Sequence, residues 1–184
     1  YEQETDFLRG YATEVSAGRM VDMNSNGFGT ELKSNLLNPK YGNWLIRAQM
    51  MGETIPKENN RVSLDPVKKD QWGIPLLSAH VEYDDNDERM IKDFEEQFTE
   101  MYQKAGFTNI RMNDSKQAPG LDIHEMGGVR MGRDPGTSLL NEWNQMHACK
   151  NVYVTDGACM TSTATQNPSL TYMAFTARAA DHAV

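Results

Sequence analysis

The clearest hydrophobic period in the chain lies near its middle. Met90, Ile91, Phe94, Phe98, Met101 and Tyr102 recur at helical spacing. Asp84–Asp87 ahead of them supplies an N-cap and first-turn carboxylates, which a helix N-terminus favours, and Gly106 ends the run. Before this helix come three apolar stretches of strand length: Trp44–Met51, Arg61–Leu64 and Leu76–Tyr83. Turn chemistry separates them, with Pro56 inside Glu53–Asn60, then Asp65-Pro66, then Trp72-Gly73-Ile74-Pro75. Strands followed by one long amphipathic helix predict an α+β layer, an antiparallel sheet with a helix on one face. Asn109–Met112 reads as a further short strand, and polar Asn113–Gly120 reads as a linker. Beyond it, Asp122–Asp134 is dense in Gly and Met, and Val152–Thr155 reads as a buried strand closed by Asp156-Gly157. After the small-residue loop Ala158–Gln166, Leu170–Val184 predicts a last helix with Leu170, Met173, Ala174, Ala177 and Ala180 as its apolar positions. Asn167 suits its N-cap and Pro168 its first turn. Val21–Thr30 reads as a loop.

Composition narrows the classes. A chain of 184 residues with 39% hydrophobic content can bury one substantial core, or one domain plus a segment that docks elsewhere. It starts at Tyr1, so we expect a fragment or a processed chain. No apolar run is long enough to span a bilayer. The formal net charge of −8 argues against a general nucleic-acid binder, which needs basic patches. Cys149 and Cys159 form no CxxC pair and suggest neither a disulfide framework nor a zinc site. Twelve methionines read as fillers of irregular core space.

Two features carry candidate chemistry. The first is the start of the last helix, where unpaired N–H groups and a partial positive charge favour anions. Gly157 and a run of small residues precede it and would let a flat ligand approach the backbone. An ordinary capped helix after a loop is the plainer reading of the same residues. The second feature is His124, just ahead of Gly127-Gly128. A zincin HExxH would need His at 128, where the chain has Gly128, and no other His lies nearby. A lone histidine is more often structural than functional.

Read together, the pieces form a pattern. HEMGGVRMGRDP from His124, NVYVTDGA from Asn151 and NPSLT from Asn167 resemble, in order and spacing, the C-terminal end of the glucose–methanol–choline (GMC) flavoprotein oxidoreductases. Upstream, ETIPKENNRVSLDPVKKDQWGIP from Glu53 looks like the same family's stretch, so the resemblance covers about residues 44–184. The HxxGG…RMG and NPSLT pieces look most like the sugar-oxidising branch, similar to pyranose 2-oxidase.

The resemblance implies a fold and a site. Residues 1–118 would belong to the substrate-binding region, built on an antiparallel sheet with flanking helices. Residues 119–184 would complete the active site and contribute a strand–loop–helix to a flavin-binding α/β domain absent from this chain. His124 would accept the hydroxyl proton of a sugar or alcohol while hydride passes to flavin N5, and Asn167 would hydrogen-bond the same oxygen. Asp156, Gly157, Pro168 and Ser169 would approach the FAD ring. The physics suits these roles. Taking the O–H proton drives hydride from carbon, an imidazole titrates in the right range, and a helix N-terminus favours negative charge on reduced flavin.

The chain also departs from the family. It has Gly128-Val129 where the family often has Thr-Cys, and Ala158 and Thr161 where Ser and Pro are frequent. It contains no GxGxxG, so the N-terminal dinucleotide-binding unit would be a missing partner, and this piece alone would bind FAD weakly or not at all. Nothing in the sequence excludes an oligomer. The missing unit also leaves an alternative of another class, a non-catalytic binding or assembly module that keeps the fold without flavin.

Overall fold

The computed structural model describes residues 5–22, 27–114, 118, 120–121 and 123–184. The expected loop Val21–Thr30 and linker Asn113–Gly120 therefore lie partly outside the described residues, and so does Asp122. The chain divides into two compact units, Ala12–Met51 and the remainder. The fold is α+β, with two small antiparallel sheets and three α-helices among the described residues.

The smaller unit contains most of β1 (Tyr11–Asp22), α1 (Gly29–Leu37) and most of β2 (Lys40–Gly52). β1 and β2 pair as a two-stranded sheet. Ile46, Ala48 and Met50 alternate as the half-buried positions of β2, the period a one-sided strand requires. Arg19 on β1 donates to the carbonyls of Gly42 (3.1 Å) and Tyr41 (3.2 Å), and its guanidinium lies over the Tyr41 ring. α1 falls partly in the span expected to be loop. It buries no side chain among the described residues and starts on Gly29, whose φ is +61°.

The larger unit contains β3 (Arg61–Lys69), β4 (Pro75–His80), α2 (Asp85–Lys104) and α3 (Ser169–Ala183). β3 and β4 form an antiparallel hairpin that pairs Val62 with Ala79 and Leu64 with Leu77. Asp70 closes it, its carboxylate accepting from the Trp72 and Ile74 amides, with Gly73 at φ +83°. Asp65-Pro66 was expected to end the first of these strands, but β3 runs through it to Lys69. The register shifts between Leu64 and Lys69. Asp65 makes this possible by accepting from the Val67 and Lys68 amides, so the chain bulges around a residue with no N–H and resumes. Asn109–Met112 forms no strand. Asn109 sits at φ +58°, which breaks the extended backbone.

α2 follows its sequence pattern closely. Met90 and Phe94 are buried, and Phe94, Phe98, Tyr102 and Phe107 form a ladder of ring contacts. The ladder continues through Tyr11 (5.6 Å, edge-on to Phe94) to Phe7. The apolar stripe of α2 thus meets aromatic residues leading into β1. Asn86 fixes that segment by bonding both backbone groups of Leu8, and the Tyr11 hydroxyl donates to Asp93 (2.7 Å).

The start of α2 is a full capping box. Asp84 accepts from the Asn86 and Asp87 amides, and Asp87 accepts from the Asp84 amide. Lys57 bridges both carboxylates, at 3.1 Å from Asp84 and 3.4 Å from Asp87. The Lys57 contact, with the backbone donors, holds the Asp84 carboxyl below its ordinary range. A lowered native pKa contributes stability that is present above the unfolded value and lost as pH falls through the native one. Acid titration should therefore loosen α2 below the ordinary carboxylate range. In Asp84→Asn, which still caps but carries no charge, the acid limb should flatten. Amide exchange of the first α2 turn against pH reads this directly, and an unchanged acid limb in the variant would rule the linkage out.

Candidate functional site

The segment carrying His124 runs beside the turn carrying Gly157. The Gly127 amide donates to the Gly157 carbonyl (3.1 Å), Val129 to Ala158 (3.0 Å) and Met131 to Cys159 (3.0 Å). Gly127 and Gly128 both take left-handed φ, +90° and +88°, a pair of values that L side chains rarely adopt. Gly128 also faces Val62 on β3, which would lie 3.7 Å from a Cβ placed there. Gly157 is glycine for a different reason. A Cβ there would stand 2.8 Å from the Tyr172 hydroxyl, 2.9 Å from the Glu125 carbonyl and 3.0 Å from Met126 Sδ. Gly127 and Gly128 thus meet a backbone requirement, and Gly157 a steric one where the Glu125–Met126 segment and Tyr172 come together.

α3 closes on this junction through its polar side chains. The Tyr172 hydroxyl donates to Met126 Sδ (3.5 Å), and the Thr176 hydroxyl contacts Thr155 Oγ1 (2.9 Å). Arg178 donates to the side-chain oxygen of fully buried Asn144 (2.7 Å) and contacts Met131 Sδ (3.5 Å). Asn144 donates from its amide to the Val154 carbonyl (2.9 Å) and accepts the Val154 N–H on its own carbonyl (3.0 Å). This explains why Val152–Thr155 is no strand, against the sequence reading. It has only an isolated bridge, Gln145 to Tyr153, and its backbone is held by Asn144 and by turns. The interior here is formed by Leu140, Cys159 and Ala179.

Each expected site residue has a definite place. His124 is half-buried, three residues before the first bond of the ladder. Asp156 is exposed, and its carboxylate accepts the Ala158 amide at the start of the short 3-10 turn Gly157–Cys159. Gly157 is buried at the junction. Asn167 was expected to cap the last helix, but Pro168 holds the N-cap position and no side chain caps the end. The reason is local: Tyr172 N–H makes its helical bond to the Pro168 carbonyl (3.1 Å), so the helix begins one residue later. Asn167 and Ser169 are exposed, Pro168 is buried, and no hydrogen bond joins His124 to Asn167 among the described residues.

The uncapped start leaves the Ser169, Leu170 and Thr171 amides without helical acceptors, on a surface where Leu170 is 78% and Met173 67% exposed. Donors beside exposed apolar side chains fit a flat ring with a negatively charged edge. Burial raises the Cys159 thiol and the Tyr172 hydroxyl above their ordinary values, so both stay protonated at neutral pH. Among the described residues, no group of three His, Cys, Asp or Glu side chains is placed to hold a metal ion. No described helix is long and apolar enough to cross a membrane. A depression of about 310 Å³ is lined by Lys57, Asn60, Tyr83 and neighbours, none of them from the His124 or Asn167 segments. Sequence reasoning missed Tyr172, Asn144 and Arg178. Tyr172 sits inside the quoted C-terminal helix, but nothing in its spacing marks it as a bridge.

Comparisons with known proteins identify the family. The family model described as GMC oxidoreductase matches residues 56–176, about two thirds of the chain. The chain is 34% identical over 148 residues to a 2-methyl-1,2-propanediol dehydrogenase of Mycolicibacterium austroafricanum, covering 79% of this chain and 26% of the relative. It is 29% identical over 166 residues to a paromamine 6'-oxidase of Streptomyces fradiae, covering 90% of this chain and 29% of the relative. A pyranose 2-oxidase of Tricholoma matsutake is 26% identical over 153 residues, covering 76% of this chain and 26% of the relative. The chain thus spans less than a third of the length of these curated relatives. The match spans β3, β4, α2, the His124 ladder, the Gly157 turn and the first half of α3, and the chain belongs to the GMC oxidoreductases.

Proposed function

We propose that the chain is the C-terminal part of an FAD-dependent oxidoreductase acting on the CH–OH group of a sugar or related alcohol. Residues 1–118 serve as its substrate-binding region, and 119–184 complete the active site. The observation that carries this reading is the ladder from Gly127 to Gly157, which places the His124 segment against the turn leading to the uncapped start of α3. The names of the relatives support the same reading, since they are a 2-methyl-1,2-propanediol dehydrogenase, a paromamine 6'-oxidase and a pyranose 2-oxidase.

FAD, when bound, supplies the two-electron acceptor for the alcohol carbon. The chain's own residues supply positioning and proton handling. His124 takes the hydroxyl proton of the substrate, because carbon releases its electrons readily only as the oxygen gains alkoxide character. Asn167, exposed just ahead of the helix, offers an amide to the same oxygen without a change of charge. The free amides of Ser169 to Thr171 favour negative charge on the cofactor edge, and Gly157 lets the backbone come close. Asp156 has its carboxylate committed to the Ala158 amide, so its part is to shape this turn. The pyrophosphate and adenosine half of FAD belongs to a dinucleotide-binding domain that precedes these residues in the parent.

Anaerobic mixing of the full-length flavoprotein with a panel of sugars and polyols tests the proposal. At least one member should bleach the flavin absorbance within turnover time. A natural protein that purifies without flavin, or whose flavin no panel member reduces, would support the assembly-module reading instead.

A further inference from the structure

We propose that Tyr172 is a positioning residue that fixes the His124 segment against the start of α3. It stands on the first turn of that helix and touches both other parts of the site. Its hydroxyl donates to Met126 Sδ (3.5 Å), two residues after His124. The same hydroxyl occupies the space that only glycine leaves at position 157, 2.8 Å from where a Cβ would stand. Its amide makes the helical bond to Pro168, and its carbonyl accepts the Thr176 hydroxyl (2.8 Å), which also contacts Thr155. The tyrosine is thus anchored at both backbone ends while its tip meets Gly157 and Met126.

The geometry has a catalytic consequence. His124 has no hydrogen-bonded partner of its own among the described residues, so its placement comes from the chain on either side of it. The ladder bonds begin only at Gly127. Between Gly127 and His124 the Met126–Tyr172 contact is the side-chain restraint, and misplacement of a reacting group by about 1 Å can cost about a hundredfold in rate. Sulfur is a weak acceptor, so removing the hydroxyl should cost little folding stability while releasing the restraint.

This inference rests on His124 as the base, and the experiment separates the two. In the full-length flavoprotein, the limiting rate of flavin reduction, the substrate dissociation constant and the melting temperature are measured for wild type, Tyr172→Phe, Met126→Leu, the double variant and His124→Ala. Tyr172→Phe should lower the limiting rate about tenfold, with substrate affinity and melting nearly unchanged. Met126→Leu should do the same, and the double variant should fall no further than either single one, as residues acting through one contact do. A wild-type limiting rate in Tyr172→Phe, beside a slow His124→Ala, would overturn the positioning role alone. Additive losses that track melting would reduce Tyr172 to a packing residue. A wild-type rate in His124→Ala would overturn the base assignment itself.

Discussion

Replacing His124 by alanine in the full-length protein should slow flavin reduction by substrate by about 100- to 10,000-fold, the range a positioned general base contributes. The loss should appear in the limiting rate more than in substrate affinity, because proton removal strengthens only as the transition state is approached. Raising the pH should recover part of it, since hydroxide can take the proton that the imidazole no longer takes. His124→Gln should be nearly as slow, because an amide can hydrogen-bond the substrate oxygen yet cannot accept its proton in this range. Neither change should unfold the protein. His124 is half-buried and belongs to none of the described hydrogen bonds. Rapid mixing under anaerobic conditions gives the rate, and a wild-type value in His124→Ala would remove the histidine from the chemistry.

The sequence shows α2 plainly, because everything that defines it is local. Asp84 reaches amides two and three residues away, and Met90, Phe94 and Phe98 share a face by helical geometry alone. Strands were legible where turn residues bracket them, as at Asp70–Gly73, and illegible where a side chain overrides the punctuation, as Asp65 does for β3 at Pro66. Val152–Thr155 has the apolar run of a buried strand, yet among the described residues no neighbouring strand accompanies it. What holds it is a side chain eight or more residues away. The GMC motif residues could be located in the sequence. How they meet could not, because Tyr172 bonds across 46 residues and Arg178 across 34. Periodicity carries no information at such separations.

Asn144 should be the most sensitive structural position near the site. It is fully buried, it sits at φ +63°, and its side chain satisfies the Val154 carbonyl on one side and the Arg178 guanidinium on the other. Asn144→Ala would remove its hydrogen bonds to the half-buried Val154 carbonyl and to the exposed Arg178 guanidinium, each worth about 0.5–1.5 kcal/mol. Alanine also tolerates the left-handed backbone less well than asparagine. A loss of about 3 kcal/mol is expected from these terms together, read as a shift in the denaturant midpoint of the full-length protein. Two further variants divide the effect. Asn144→Gly relieves the backbone and keeps only the lost bonds. Asn144→Asp keeps the acceptor for Arg178 and removes the donor to Val154, placing a carboxylate oxygen against the Val154 carbonyl. The order of stability should be wild type, then glycine, then alanine. A midpoint shift below about 0.5 kcal/mol in Asn144→Ala would mean that the contact is dispensable. Because Val154 leads directly to Asp156 and Gly157, and Arg178 lies on the helix that starts at Ser169, the same bonds hold the Gly157 turn to α3. Asn144→Ala should therefore also slow flavin reduction in whatever fraction remains folded, although its side chain is buried away from any substrate.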